Sequence, residues 1–338
     1  MTSDSNSQFL EEMNRVSEYH YERSSEYRIL VDLLFKGEFK TNEIESLPFI
    51  PVTLFKEFDL KSTSADKIFL TLQSSGTTGQ TSKIFISKEN AKSQKLALGE
   101  LFRDRLGSAR MPMVIFENEA ILERDSVANA RKAAVIGFSS FTSKRFFALD
   151  RHDRLDFHGL RSFLESHGDS KVVFFGFTSE IWKTLLSPSQ GNRLLNFPRG
   201  VLLHGGGWKK LEDLKISKVL FKKSVLEVMG ISEVVDYYGM AEQSGSIFFE
   251  CTSSFFHTSK YSSVIARDFS TFLPLPNGKQ GLIQVLSILP SSYPGHSILT
   301  QDIGNVIGVD DCECGQNGKY FTILGRLPKS QVRGCSDV

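Results

Sequence analysis

Apolar residues recur every three or four positions near the start of the chain. From Phe9 to Phe35 this spacing predicts amphipathic helices, and Gly37 predicts where they end. The segment Ser46–Pro51 then breaks the pattern with two prolines. We therefore expect a helical N-terminal segment over residues 1–60.

The middle of the chain alternates between short apolar runs and longer segments with room for helices. One of those longer segments predicts a helix over about Lys88–Leu106. The apolar runs predict strands at Phe69–Leu72, Met113–Phe116, Ala133–Phe138, Lys171–Phe175 and Gly200–Leu203. This rhythm is typical of a mostly parallel sheet, so the sequence predicts an α/β body over residues 61–245.

The pattern changes after about residue 245, where turn-forming residues separate short strands and no helix is expected. The predicted strands are Ser246–Glu250, Ser263–Arg267, Gly281–Leu286, Asn305–Val309 and Tyr320–Leu324. A β-rich subdomain over residues 246–338 follows from this pattern. No internal repeat or low-complexity run interrupts it.

Composition narrows the functional classes. The 338 residues carry 40 Lys and Arg against 39 Asp and Glu, a formal charge of +1, which does not predict a nucleic-acid or membrane-surface partner. The N-terminus is polar where a signal peptide needs an apolar run, and no uncharged stretch reaches membrane-spanning length. We expect a cytoplasmic protein. The 28 Phe residues indicate an aromatic core or an apolar binding slot.

A loop rich in glycine and hydroxyl groups follows the strand predicted at Phe69–Leu72. Glycines let backbone N–H groups turn inward around an anion, hydroxyls add donors, and a following Lys adds positive charge. The predicted phosphate ligands are Ser74, Ser75, Gly76, Thr77, Thr78, Gly79 and Lys83. The spacing is not that of a P-loop NTPase. A polar surface loop without a ligand is the alternative for this segment alone.

Two segments resemble motifs of the adenylate-forming superfamily, which includes acyl-CoA synthetases and luciferases. Ser75–Gly79 with Lys83 resembles its nucleotide-binding loop, and Tyr237–Glu242 resembles its Tyr-Gly-x-Thr-Glu motif. The resemblance implies that Tyr238 stacks near adenine and that Glu242 helps to hold Mg²⁺. Ala241 replaces the motif's Thr, so the Tyr238–Gly239 backbone and Glu242 are the parts that carry over.

Three further segments extend the resemblance, one before Tyr237–Glu242 and two after it, in the order found in the superfamily. Gly205, Gly206 and Gly207 resemble the glycine-rich adenine-side loop, although a tight turn alone would explain them. Asp302 in Thr300–Asp302 resembles the carboxylate that binds the ribose hydroxyls, and Arg326 matches a late Gly-Arg near ribose and phosphate. The resemblance covers roughly residues 45–338. It implies ATP as a bound nucleotide and the N-terminal domain of an adenylate-forming enzyme, with helix-flanked mixed sheets.

Four residues of the β-rich region form a candidate zinc site. Cys251, His257, Cys312 and Cys314 offer three thiolates and an imidazole, a closed tetrahedral set typical of structural Zn²⁺. Free cysteines are the alternative, because Cys-x-Cys departs from the usual Cys-x2-Cys spacing. The phenylacetate–CoA ligase branch of the superfamily is similar in placing a Cys and a His after the Tyr-Gly motif and a Cys-x-Cys-Gly before the Gly-Arg.

Cys335 stands apart from these ligands, near the end of the sequence. Arg333, two residues away, supplies a positive charge that favours the thiolate of Cys335. Gly334 has no side chain, so it leaves the thiol accessible. An incidental exposed thiol is the alternative. The whole pattern is similar to acyl-protein synthetases of the LuxE type, which implies that Cys335 accepts the acyl group. We expect no counterpart of the C-terminal domain of longer superfamily members, with its catalytic Lys.

The resemblance implies an enzyme that activates a carboxylic acid, in the first instance a fatty acid, with ATP and Mg²⁺ and then acylates Cys335. Lys83, Glu242 and Cys335 would be its catalytic residues. An acyl-accepting reductase or acyltransferase would be its partner. Two alternatives stay open at this point: an acyl- or aryl-CoA ligase without its C-terminal domain, and an inactive nucleotide-binding scaffold.

Overall fold

The computed structural model describes residues 3–74, 81–107, 110–123, 128–188, 194–207, 211, 214 and 216–327. Within these ranges the α-helices are α1 (Ser3–Arg23), α2 (Ser25–Phe35), α3 (Leu54–Glu57), α4 (Lys88–Leu106), α5 (Ala130–Ser139), α6 (Phe157–Glu165), α7 (Thr178–Ile181) and α8 (Lys218–Met229). The strands are β1 (Ile50–Pro51), β2 (Ile68–Gln73), β3 (Lys83–Ser87), β4 (Met113–Asn118), β5 (Arg145–Leu149), β6 (Val172–Phe177), β7 (Gly200–Gly205), β8 (Glu233–Tyr238), β9 (Phe248–Phe249), β10 (Phe256–His257), β11 (Ser262–Arg267), β12 (Gly281–Ser287), β13 (Ser297–Val309) and β14 (Lys319–Arg326).

The N-terminal helices form as the apolar spacing predicts. Ser24 interrupts them, and its side chain accepts a hydrogen bond from the N–H of Tyr27 to begin α2. The helix ends at Phe35, after which the N–H of Gly37 donates to the Val31 carbonyl at 3.1 Å. Both helices bury apolar side chains against strands of the β-rich region, α1 beside β11 and β12.

The α/β body contains the predicted parallel sheet, in the strand order β5-β4-β6-β7-β8-β9. All of its pairs are parallel except the edge pair of β8 and β9. Successive residues of each strand pack in different apolar clusters on the two faces of the sheet. Phe174 packs in one cluster and Phe175 in the other, and both are fully buried. Burial on both faces explains the near-continuous apolar runs in the sequence.

One strand prediction in this body is wrong. Ala133–Phe138 lies in the helix α5, which Asn129 caps by accepting a hydrogen bond from the N–H of Lys132 at 2.9 Å. Val135 and Phe138, three positions apart, share its buried face. A short apolar run fits a buried helix as well as a strand, so the pattern alone was ambiguous. The strands β3, β5 and β8 were not predicted.

The region after residue 245 is β-rich, as predicted. Its sheet has the order β10-β14-β13-β12-β11, and these pairs are antiparallel. The short β1 from the N-terminal segment joins the same sheet by pairing in parallel with β13. None of the helices in the described ranges is long and apolar enough to cross a membrane.

A separate hairpin of β2 and β3 carries the predicted phosphate loop. Further along the chain, a short 3-10 helix at Ala241–Gln243 follows β8 at the carboxyl end of that strand. Tyr238, the last residue of β8, contacts Asp302 on β13. This contact joins the parallel sheet to the β-rich sheet.

Candidate functional site

Three predicted ligands of the nucleotide come together between the two sheets. The hydroxyl of Tyr238 donates to Asp302 Oδ2 at 2.7 Å, and Arg326 Nε donates to Asp302 Oδ1 at 2.8 Å. Asp302 and Arg326 are partners in the register of β13 and β14, which fixes their proximity. Asp302 is buried, and its backbone N–H donates to the hydroxyl of Thr300 at 3.0 Å. The Asp302 carboxylate is therefore held in one orientation.

The Asp302 carboxylate and the Arg326 guanidinium stabilise each other. Burial alone would lower the pKa of Arg326, but the charge and hydrogen bond of Asp302, with a smaller effect of Glu242, raise it. Burial and the same carboxylate raise the pKa of Tyr238 well above its usual value, so its phenol stays a donor. A pre-oriented carboxylate between two donors is suited to accept further hydrogen bonds from a diol.

Glu242 lies close to this group and is buried. It sits in the 3-10 helix Ala241–Gln243, and its charge acts on Arg326. Its main-chain oxygen lies 2.5 Å from where a side chain at Gly295 would begin, so a glycine is required there. Ala241, at the position of the motif's Thr, packs in the large apolar cluster of the β-rich region.

The glycine loop at the end of β7 contains two positions at which a side chain would clash with a neighbouring ring. A side chain at Gly205 would meet the ring of Tyr237 at 2.6 Å, and one at Gly206 would meet Phe177 at 2.8 Å. Gly206 and Gly207 both have positive φ, 88° and 75°. Among the described residues, a side chain at Gly207 would meet nothing within 4 Å. Of these three glycines, Gly207 is therefore the one at which no described neighbour excludes a ligand.

Lys83 lies at the start of β3, just after the predicted phosphate loop. Its ammonium group is half exposed and lies 3.2 Å from Asp59 Oδ1. Ser74 closes the neck of the loop, because its N–H donates to the Ser82 carbonyl at 3.1 Å and its hydroxyl accepts from the Ser82 N–H at 3.0 Å. The remaining predicted phosphate ligands, Ser75, Gly76, Thr77, Thr78 and Gly79, lie outside the described residues.

The four candidate zinc ligands come together although they span more than sixty positions of the sequence. Their ligand atoms all lie within 4.8 Å of one another. Cys251 Sγ is 4.0 Å from Cys312 Sγ, and Cys314 Sγ is 3.3 Å from His257 Nε2. A tetrahedron of thiolates around zinc has edges of about 3.8 Å, so this donor set fits the ion.

The local chain explains how these residues meet. A tight turn returns the chain from Cys251 to Phe255, whose carbonyl accepts from the Cys251 N–H at 2.8 Å. The next strand, β10, pairs with β14 and places His257 beside Tyr320, with ring centroids 5.6 Å apart. Cys312 and Cys314 lie in the connection between β13 and β14.

The cluster is unfavourable for free thiolates. Burial and the neighbouring Cys312 and Cys251 thiols raise the pKa of Cys314 to about 11. Burial lowers the pKa of His257, which favours the neutral imidazole that binds metals. A divalent cation would offset the repulsion between thiolates and displace their protons.

Several residues around the site were missed by the sequence reasoning. Asp59 pairs with Lys83, and Glu117, Arg131 and Glu180 form an ionic group near the glycine loop. None of them lies in a recognisable motif. Cys335, the predicted acyl acceptor, lies outside the described residues.

Solved structures of adenylate-forming ligases share this fold. An open conformation of 2-hydroxyisobutyryl-CoA ligase, in complex with 2-HIB-AMP and CoA, matches with a TM-score of 0.71 and 17% identity, over 96% of this chain and 76% of that one. ATP-bound MatB from Rhodopseudomonas palustris matches with a TM-score of 0.52 and 16% identity, over 78% of this chain and 49% of that one. At these identities the likeness concerns the fold alone.

Curated relatives cover nearly the whole chain. A long-chain-fatty-acid–luciferin-component ligase of Vibrio harveyi is 23% identical over an alignment of 334 residues, and the match covers 94% of this chain and 84% of that protein. The protein of the same name from Aliivibrio fischeri is 24% identical over the same shares. The acyl-protein synthetase family LuxE matches residues 3–338. The chain therefore belongs to the LuxE family of acyl-protein synthetases.

Proposed function

We propose that this protein uses ATP to activate a long-chain fatty acid as an acyl-adenylate and then transfers the acyl group to its own Cys335. Family membership supports the reaction class, and the name of the two curated relatives supports the acid. The observation that carries the proposal for this chain is the Tyr238–Asp302–Arg326 group, which presents a fixed carboxylate between the two sheets.

In the first half-reaction, a carboxylate oxygen of the acid attacks the α-phosphorus of ATP, and pyrophosphate leaves. Repulsion between the anions opposes this attack. The residues assigned to offset it are the N–H groups of the loop 74–79, Lys83 and Arg326. In this proposal Asp302 accepts hydrogen bonds from the ribose hydroxyls, and Gly207 leaves space on the adenine side. The acyl-adenylate is a mixed anhydride that is reactive enough for the next step.

In the second half-reaction, the thiolate of Cys335 attacks the acyl carbonyl, and AMP leaves with the phosphate oxygen. A thioester forms, and the thiol proton passes to solvent or to a nearby base. Cys335 must reach the adenylate from the end of β14, which finishes at Arg326. Cys335 is nine positions after Arg326, a length of chain that can reach at most about 30 Å from the end of β14.

Two metal ions belong to the proposal. Glu242 would hold Mg²⁺, which neutralises phosphate charge when it is bound; its carboxylate is a ligand type that Mg²⁺ prefers, and it lies beside Arg326. Cys251, His257, Cys312 and Cys314 would hold a structural Zn²⁺, since they supply a closed set of four ligands at suitable separations. The zinc would tie the turn after β9 to the connection between β13 and β14.

The acyl group would next pass to a second protein, a reductase or an acyltransferase that accepts it from the thioester. We place the reaction in the cytoplasm, where ATP is available and thiols stay reduced.

The test is intact-mass measurement after incubation with ATP, Mg²⁺ and a panel of fatty and aryl acids. We expect a mass increase of one acyl group in the wild-type protein and none in Cys335→Ser. The increment also identifies the acid. Matched controls are Cys335→Ala and the wild-type protein with a non-hydrolysable ATP analogue.

Other outcomes separate the alternatives. Formation of a CoA thioester without labelling of the protein would assign a CoA ligase. Nucleotide binding without acid-dependent turnover would assign a scaffold, a function that the Ala241 substitution in the motif would favour. Acylation that persists in Cys335→Ser would move the acceptor to another residue.

A further inference from the structure

The two loops assigned to the nucleotide leave from different elements of the fold. The phosphate loop follows β2 in the β2–β3 hairpin, whereas the glycine loop follows β7 in the parallel sheet. A nucleotide that contacts both loops requires a fixed distance between them. A chain of contacts centred on Arg131 joins them.

The first contact connects the phosphate loop to α5. The N–H of Gln73, at the root of the loop, donates to the Ala128 carbonyl at 2.7 Å. Gln73 also forms an isolated parallel bridge with Asn129, whose side chain caps α5. The first turn of α5, which contains Arg131, is therefore bound to the root of the phosphate loop.

Arg131 is held from three sides. Its Nε donates to the buried carboxylate of Glu117 at the end of β4, and its Nη2 donates to Glu180 Oε2 at 3.3 Å. The guanidinium also lies over the ring of Phe177, 5.0 Å from the centroid. A planar guanidinium serves these three partners at once, which an ammonium group cannot do.

The last contacts reach the glycine loop. Thr178, two residues before Glu180 in α7, donates its hydroxyl to the Gly205 carbonyl at 3.0 Å and lies 2.9 Å from His204 Nδ1. Phe177 lies directly against Gly206, since a side chain there would meet the ring at 2.8 Å. The short segment Phe177–Glu180 thus contacts Arg131 through Phe177 and Glu180, and the glycine loop through Phe177 and Thr178.

We propose that Arg131 is a positioning residue that sets the separation of the phosphate loop and the glycine loop for ATP. The inference rests on the proposed function, because it assumes that ATP spans both loops. Arg131 acts through Glu117, Glu180 and Phe177. Its loss releases α5 and α7 from each other and raises the free-energy cost of ordering both loops around the nucleotide.

Arg131→Met should weaken ATP binding about tenfold, which corresponds to about 1.4 kcal/mol. Arg131→Lys should recover only part of the loss, since it keeps the charge without the planar fork. The maximal rate of acid-dependent ATP–pyrophosphate exchange should fall less than the apparent affinity for ATP. The matched control is Arg154→Met, because Arg154 also bonds a carboxylate, Asp150, but on the exposed surface.

Hydrogen exchange of the nucleotide-free protein tests the link without any activity. Peptides that cover 68–74 and 200–207 should both exchange faster in Arg131→Met than in the wild type and in Arg154→Met. Unchanged exchange at both peptides would overturn the proposal. If the wild type binds no ATP, the proposed function fails, whereas the exchange comparison still tests whether Arg131 links the loops.

A double-mutant cycle separates positioning from a general loss of stability. Because Arg131 and Glu180 belong to one chain of contacts, Arg131→Met and Glu180→Gln should together weaken ATP binding by less than the sum of their separate effects. Additive effects would overturn the proposal, as would a lower melting temperature with unchanged ATP affinity. Should Arg131→Met fail to fold, Arg131→Lys and Glu180→Gln provide the same comparison.

Discussion

The ribose side and the phosphate side of the candidate site are built differently. On the ribose side, Asp302 is buried and receives hydrogen bonds from Tyr238 and Arg326, and the register of β13 and β14 pairs Asp302 with Arg326. On the phosphate side, Lys83 is half exposed, and its partner Asp59 is half exposed too. The ribose side keeps its carboxylate buried although Arg326 is exposed, whereas both partners of the Lys83–Asp59 pair are exposed, and such pairs contribute little by themselves.

This difference indicates that the two sides of the site contribute to different steps. Contacts from both sheets hold the Asp302 carboxylate, so its oxygen lone pairs have fixed directions. The carboxylate can therefore select a sugar whose hydroxyls match those directions. An exposed ammonium on a hairpin can follow the phosphates as charge is redistributed in the reaction. We therefore expect ribose-side substitutions to affect nucleotide binding most and phosphate-side substitutions to affect turnover more.

The largest effect is expected for Asp302→Ala. It removes the proposed ribose acceptor and leaves the guanidinium of Arg326 without its carboxylate. The two hydrogen bonds that the ribose hydroxyls would donate to the Asp302 carboxylate account for about 2–4 kcal/mol of binding free energy. The affinity for ATP should therefore fall by about 30- to 1,000-fold. Isothermal titration calorimetry with ATP measures the loss. Asp302→Asn is the matched variant, and unchanged affinity in both would contradict the assignment of Asp302.

Removal of the metal cluster should affect the ribose side next. His257 and the Cys312–Cys314 turn adjoin β14, which also carries Arg326, whereas the β2–β3 hairpin has no part in the cluster. Cys314→Ser should abolish stoichiometric zinc, lower the melting temperature by several degrees and weaken ATP binding. Elemental analysis by mass spectrometry and thermal denaturation measure these effects. Zinc-free wild-type protein with an unchanged melting temperature would refute the metal site.

Lys83→Met tests the phosphate side. The charge should matter most as negative charge moves onto the leaving pyrophosphate, so we expect about a tenfold fall in the maximal exchange rate and a smaller change in ATP affinity. Steady-state exchange at saturating acid measures both. An effect on affinity alone would remove the proposed difference between the two sides.

The smallest effect is expected for Asp59→Ala. The pair with Lys83 is exposed, so its loss should change the free energy of unfolding by less than about 0.5 kcal/mol. Freed from Asp59, Lys83 should bind phosphate no less well, and the exchange rate should stay within about twofold of the wild type. Chemical denaturation and exchange assays check both values. A large loss of activity would give Asp59 a role in the reaction itself.

The spacing of apolar residues predicted helices and strands, whereas the motif resemblance predicted residues of the site. The spacing of apolar residues predicted α4 with its observed bounds, because one helix face is buried along the sheet. It failed for α5, where a short apolar run is compatible with either a helix or a strand. The division of the chain at residues 60 and 245 stays a prediction.

Within the site, the residues named from the motif resemblance include Tyr238, Asp302 and Arg326, which lie up to 88 positions apart, and the four candidate metal ligands; the structure places the members of each set close together. It did not predict Asp59 or Arg131, since ion pairs between distant segments depend on tertiary packing and leave no periodic signal. The roles of the residues, as distinct from their proximity, stay predictions.

The central claim is that this protein forms an acyl-adenylate from ATP and an acid. Acid-dependent ATP–pyrophosphate exchange tests it most directly, because exchange reports the first half-reaction without the thiol. We predict exchange with a long-chain fatty acid in the wild type and in Cys335→Ser, and strong loss in Asp302→Ala. Absence of exchange across a broad panel of acids, in protein that still binds ATP, would contradict the account.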